Sequence, residues 1–263
     1  MNTIKFWGGA FLTLPILPIL YYQGKRIRRN VPVLPEAREP YGTVKGFGSE
    51  NLNIIILGES TIAGVGVDTH KEGFAGAFAH KLSELTGMNI VWNVYAKSGF
   101  NARQVNKSLV PHIKEENADC IIIGLGGNDA FELNRPIRWR KHIGQLIESL
   151  QNRFSYTPIV FTNMPPIREF PAFTPFIQWT IGNLVEILGD ELESLVNSYR
   201  NVHFMSKKIT FDEWIKRTHL GNTVSDFFSD GVHPSKLTYE LWGQDMANYI
   251  FERGIIKHEE SIK

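Results

Sequence analysis

From residue 53 onward, short apolar runs alternate with longer amphipathic stretches, and this alternation limits the possible folds more than any other feature of the chain. Ile54-Ile55-Ile56-Leu57 is continuously apolar, as a strand buried on both faces of a parallel sheet requires. Residues 74–85 follow, with Phe74, Phe78, Leu82 and Leu85 on one face of a helix. The pattern then repeats. Further strands are expected at 90–95, 120–124, 157–162 and 202–205, and helices at 105–113, 139–154, 178–199 and 237–253. Such alternation predicts an α/β fold with a mostly parallel five-stranded sheet and helices on both faces. In a sheet of this kind the loops after the strands share one rim, which is where ligands bind.

With 263 residues, 43% hydrophobic and 21% charged, the chain has a globular composition. A formal net charge of +1 gives no overall field to draw in nucleic acid. The single cysteine, Cys120, excludes an internal disulfide, and its apolar neighbours suggest a buried, inert thiol. The histidines are scattered without zinc-ligand spacing, so no metal is expected. Neither G-x-G-x-x-G nor G-x-x-x-x-G-K-[ST] occurs, which argues against a nucleotide-binding protein and leaves no cofactor implied.

The amino terminus stands apart. Residues 6–22, FWGGAFLTLPILPILYY, carry no charge, and Lys25, Arg26, Arg28 and Arg29 follow at once. As a helix the run would reach about 25 Å, the short end for a bilayer span. Only Lys5 precedes it and no small-residue cleavage site follows, so residues 1–29 read as an uncleaved membrane anchor. Pro15 and Pro18 would kink such a helix, which membrane helices tolerate. The basic flank would place the main domain on the cytoplasmic side, with export as the alternative. A hydrophobic arm packed on the domain itself is the competing reading. Residues 30–50, rich in Pro and Gly, read as a linker, 51–256 as the main domain and 257–263 as a polar tail.

Four loops on the shared rim carry chemistry. They are Gly58-Glu59-Ser60; Lys97-Ser98-Gly99-Phe100-Asn101; Gly126-Gly127-Asn128-Asp129; and Asp230-Gly231-Val232-His233-Pro234. Each has an ordinary explanation alone: Ser60 as a helix cap, Gly99 as a turn, Asn128-Asp129 as a cap, His233 as a structural histidine. Together they supply what acyl transfer needs: a nucleophile, a base, an orienting acid and oxyanion donors. Ser60 is the candidate nucleophile, His233 its base and Asp230 the partner of His233, three residues upstream. The backbone N–H of Ser60 and of Gly99 and the side-chain amide of Asn128 are candidate oxyanion donors.

These blocks, in this order and spacing, resemble the four sequence blocks of the SGNH (GDSL-type) hydrolase family, over roughly residues 53–252. The resemblance implies a flavodoxin-like three-layer α/β/α sandwich and cleavage of esters or thioesters through an acyl-enzyme. It supports the same roles for Ser60, Gly99, Asn128, Asp230 and His233. One position departs: the family usually carries Asp directly before the serine, and this chain carries Glu59, whose extra methylene would shift its hydrogen bonds to nearby backbone. With Gly58 as the first position, the fifth is Ile62 rather than the second glycine of G-x-S-x-G, so the α/β-hydrolase elbow is not present.

Residues 165–182, PPIREFPAFTPFIQWTIG, form a long connection carrying Phe170, Phe173, Phe176 and Trp179. These four are candidate substrate-binding residues, an apolar wall for an acyl chain; ordinary core packing is the competing reading. Arg168 and Glu169 would then meet a polar head group. The leading expectation is a serine esterase of lysophospholipase or thioesterase type acting on an ester or lipid substrate. The alternative is an O-acetyl esterase or acetyltransferase acting on acetylated carbohydrate.

Overall fold

A computed structural model describes residues 2–218 and 221–256. The expected polar tail, 257–263, lies outside the described residues. The sheet contains β1 (Tyr41–Val44), β2 (Asn51–Gly58), β3 (Asn89–Ala96), β4 (Cys120–Gly124), β5 (Ile159–Phe161) and β6 (Val202–Phe204). Their order is β1-β3-β2-β4-β5-β6, and β2 to β6 are mutually parallel. Taken alone, the five parallel strands follow the doubly wound order 2-1-3-4-5, with the switch point between β2 and β4. Each of them overlaps its expected stretch.

The sheet has a sixth strand that the sequence pattern did not reveal. β1 pairs antiparallel with β3, Tyr41 opposite Asn93 and Val44 opposite Ile90, within the stretch expected to be a linker. Its glycine reads as a turn signal, yet Gly42 is there because a Cβ would lie 2.4 Å from the Trp92 indole.

Successive side chains of a strand point to opposite faces, so each strand feeds two cores. Ile55, Leu57, Ile121, Ile123 and Phe161 pack against α4 (Ala102–Ser108), α6 (Pro136–Arg153) and α7 (Pro175–Val196). Ile54, Ile56, Ile122 and Val160 pack against α3 (Phe74–Thr86) and α9 (Lys236–Glu252). Full burial of each such side chain contributes roughly 1.5–3 kcal/mol, which accounts for the unbroken apolar runs. Cys120 lies in the second core, where burial pushes its thiol well above the ordinary range. Two short helices complete the domain: α5 (Gly127–Phe131), after β4, and α8 (Phe211–Thr218), after β6.

The amino-terminal run corrects the expectation of a membrane-spanning anchor. It forms α1 (Asn2–Thr13), a 3-10 turn at Leu14–Ile16 and α2 (Leu17–Asn30). Pro15 and Pro18 lack the amide that would continue the ladder, and the helix breaks there. Among the described residues, no helix is long and apolar enough to cross a membrane. The arm instead lies on the domain. α1 packs on α6 and α7, and the Arg135 guanidinium stands 5.2 Å over the Trp7 ring. The Thr174 hydroxyl at the start of α7 donates to Gln23 Oε1 of α2 at 2.6 Å.

Candidate active site

β2 ends at Gly58, and the chain turns at once. The turn is closed by the Ala63 N–H donating to the Glu59 carbonyl (2.8 Å) and the Val65 N–H to the Ser60 carbonyl (3.1 Å). This leaves Ser60, half-buried, beside the switch point. It lines a cavity of about 960 Å³ together with Asn128 and His233. That volume is near the upper end for small-molecule sites.

Glu59 spans from this turn to the next loop. Its Oε1 accepts the Gly127 N–H at 2.8 Å and its Oε2 the Asn128 N–H at 3.0 Å. Both oxygens of a buried carboxylate thus hold the first turn of α5, where backbone donors lack helical partners. Burial pushes the Glu59 carboxyl up to about 7; the two N–H donors pull the other way, and nearby Asp129 adds to the rise. With its extra methylene this carboxylate bonds the amides of two successive residues of the next loop.

Asn128 and Asp129 tie α5 to the loop after β3. The Asn128 side-chain amide donates to the Phe100 carbonyl at 3.0 Å and also helps lower the neighbouring Glu59 carboxyl. Asp129, wholly buried, accepts the Ala102 N–H at 2.8 Å and the Asn134 side-chain amide at 2.9 Å. It therefore caps α4 rather than its own helix, and burial raises its carboxyl to about 6. Gly99 sits at φ +83° in the turn closed by the Phe100 N–H on the Lys97 carbonyl (3.2 Å), a type II turn with glycine at its third position. It is exposed at the rim, outside the wall that Ser60, Asn128 and His233 share.

The segment before α9 folds back on itself. Asp230 Oδ1 accepts the N–H of Val232 (2.9 Å) and of His233 (2.7 Å), and Oδ2 meets His233 Nδ1 at 2.7 Å. Burial alone would raise the Asp230 carboxyl, but these three bonds outweigh it and hold it below the usual range. With Nδ1 committed, Nε2 is the ring nitrogen able to take a proton. His233 and Ser60 make no direct hydrogen bond, and such bonds commonly tighten only around substrate. Ser229 Oγ bonds the carbonyls of Gly66 (3.1 Å) and Pro234 (2.9 Å), clamping this segment to the turn that carries Ser60. The buried Tyr239 hydroxyl of α9 donates to the Val65 carbonyl at 2.8 Å and fixes the same junction.

The four aromatics of the long connection separate. Phe170 and Phe173 are buried and line the Ser60 cavity. Trp179 lines a second cavity against α1, and Phe176 is 48% exposed. Arg168 is engaged by Glu186 at 3.0 Å, and Glu169 accepts the Phe211 N–H at 3.1 Å, so neither is directed to a ligand. What the sequence reading missed is the share of α2: Leu20, Tyr21, Gly24, Lys25 and Arg29 line the same cavity as Ser60. The helical spacing of those positions was visible, but nothing local showed which surface they would cover. Among the described residues, no group of three His, Cys, Asp or Glu side chains is placed to hold a metal ion.

Comparison with known proteins bears on the family and the fold. Residues 56–241 match the family described as the GDSL-like Lipase/Acylhydrolase family. A GDSL esterase/lipase of Arabidopsis thaliana is 23% identical over 201 residues, covering 70% of this chain and 83% of its own. Among solved structures, a member of the lipolytic protein G-D-S-L family from Veillonella parvula superposes with a TM-score of 0.58 at 16% identity, covering 77% of this chain and 99% of its own. The lipase Lip_vut3 from a goat rumen metagenome gives 0.55 at 18% identity, covering 75% and 98%. At such identities these two likenesses speak for the fold. The chain belongs to the GDSL-like lipase/acylhydrolase family, whose members are hydrolases acting on esters.

Proposed function

We propose that the protein is a serine hydrolase that cleaves lipid-like esters or thioesters through an acyl-enzyme at Ser60. The observation that carries this reading is one cavity in which Ser60 and His233 meet Phe170, Phe173, Ile177 and Ile181. Reacting groups and apolar side chains lining one cavity suit an acyl chain lying against α7 with its carbonyl at Ser60. An acetylated carbohydrate would find few polar partners on that wall, so the acetylesterase alternative is the weaker one.

In this mechanism Ser60 Oγ attacks the carbonyl carbon while His233 Nε2 takes its proton. Asp230 holds the ring in the required tautomer and stabilises the imidazolium. The oxyanion receives the Ser60 N–H and an N–H of the Asn128 side-chain amide. Gly99, on the turn that Asn128 holds through Phe100, is the candidate third donor. Collapse expels the alcohol or thiol with the proton from His233. Water then repeats the sequence on the acyl-enzyme and releases the acid.

A fluorophosphonate probe should label the wild-type protein and leave Ser60→Ala and His233→Ala unlabelled, with circular dichroism unchanged in both. Equal labelling of wild type and Ser60→Ala would remove Ser60 from the mechanism. In a series of p-nitrophenyl esters, kcat/KM should rise from acetyl to octanoyl or longer. Activity confined to the acetyl ester would favour the carbohydrate alternative.

A further inference from the structure

α2 presents one face to the reaction cavity, and that face changes character along its length. Leu20 and Gly24 are partly buried, one turn apart, while Lys25 and Arg29, also one turn apart, are exposed and still line the cavity. Residues four apart on a helix lie side by side, so the two cations can converge on one anion. Among the described residues no carboxylate pairs with Lys25 or Arg29. The carboxylates beside the cavity are committed elsewhere: Glu59 to two backbone amides and Asp230 to His233. Some exposed cations elsewhere are paired, as Arg168 is with Glu186 and Lys97 with Glu36.

Phe170, Phe173, Ile177 and Ile181 give the acyl chain an apolar lining, so the charge on α2 is available to the other half of the substrate. We infer that Lys25 and Arg29 form an anion subsite, and that the preferred substrates are acyl esters or thioesters whose alcohol or thiol portion carries a phosphate. This inference rests on the hydrolase reading above and names the substrate class of that same site. The arm is then a wall of the substrate cavity, with a specificity role that its apolar composition alone would not suggest. Phosphate suits the pair because charge-assisted donors bind it through several oxygens at once.

The test uses full-length protein and two monomeric esters that share acyl chain and scissile bond, 1-octanoylglycerol 3-phosphate and 1-octanoylglycerol. Wild type should prefer the phosphate-bearing ester by about tenfold or more in kcat/KM, less at high salt. Lys25→Ala/Arg29→Ala should reduce that ratio to near one, and Lys25→Arg/Arg29→Lys should keep it. A ratio near one in wild type, with both esters cleaved, overturns the subsite and leaves the hydrolase reading intact. A second arm needs no turnover: Ser60→Ala protein should bind octyl phosphate about tenfold or more tightly than octyl glucoside, and lose that preference with the double alanine change. Selective binding without any turnover overturns the hydrolase reading and, with it, the assignment of the subsite to a substrate. Inorganic phosphate binding as tightly as octyl phosphate makes this a free-anion site and overturns the proposal. So does adsorption to phosphatidylglycerol vesicles that depends on Lys25 and Arg29 while the monomeric amphiphiles bind alike.

Discussion

In the proposed mechanism Glu59 lies off the path of the proton, yet both its oxygens hold the backbone from which Asn128 projects. Replacing it with Gln keeps the shape but turns one acceptor into a donor facing the Gly127 or Asn128 N–H. An unmade buried hydrogen bond of this kind costs about 1–3 kcal/mol. Where that cost falls on the placement of Asn128, kcat should drop about ten- to a hundredfold with KM little changed. Glu59→Asp, shorter by one methylene, should keep one of the two amide bonds and fall between wild type and Gln. Steady-state kinetics on one p-nitrophenyl ester decides the matter, and an unchanged kcat in Glu59→Gln would reduce the residue to a packing element. Asn128→Ala removes the proposed oxyanion donor itself, and kcat should fall about 10²–10³-fold without vanishing. Ordering of the three variants, Asn128→Ala below Glu59→Gln below Glu59→Asp, separates the donor from the group that positions it.

Loops from opposite ends of the sequence are locked together where the turn after β2 meets the segment before α9. Gly66 marks that contact: it adopts φ +109°, and a Cβ would lie 2.4 Å from the Pro234 carbonyl oxygen and 2.7 Å from Ser229 Oγ. Gly66→Ala therefore strains its own backbone and pushes on the segment that carries His233, at a cost of about 1–3 kcal/mol. Thermal unfolding should report that loss, and kcat should fall further than in Ile250→Val, which loosens the core behind α9 by a comparable or smaller amount. Equal activity losses in the two variants would mean that the contact serves stability alone. Ties of this kind explain what could be read from the sequence. The parallel strands were legible because apolar runs such as Ile54-Ile55-Ile56-Leu57 depend on local composition, and Asp230 with His233 because their partnership spans three residues. The bridge from Glu59 to Gly127 joins positions 68 apart, and β1 exists only because β3, far along the chain, offers an edge. No local pattern encodes either. The apolar arm was legible as hydrophobic, but the surface that absorbs it is assembled from α6 and α7.

For the whole molecule, buried titratable groups give the pH dependence of stability two opposing slopes. His70 is 3% exposed, and burial pushes it down to about 4 against the opposing pull of Glu36. The unfolded chain protonates this residue near its ordinary 6.5. Its contribution to stability is therefore fully present above that pH and is lost as pH falls toward 4, in total roughly 3 kcal/mol. Glu59 works in the other direction. With a folded value of about 7 against an ordinary 4.5, its contribution is present below 4.5 and is lost as pH rises through 7. Asp129, raised to about 6 from 3.8, adds to that second slope. Between about pH 4.5 and 6.5 the two slopes oppose each other in the wild-type protein, so a single melting curve against pH conceals both. Two variants separate them. Relative to wild type, the Tm of His70→Gln should climb as pH is lowered from 7 to 4.5, because only wild type then incurs the histidine penalty. Relative to wild type, the Tm of Glu59→Gln should climb as pH is raised from 5 to 8, because only wild type then buries a carboxylate charge. Each relative shift should be on the order of 5–10 °C for a domain of this size. Thermal melts of the three proteins across pH 4.5–8 would measure both, and curves that stay parallel to wild type would show that neither group differs in protonation between the folded and unfolded chain.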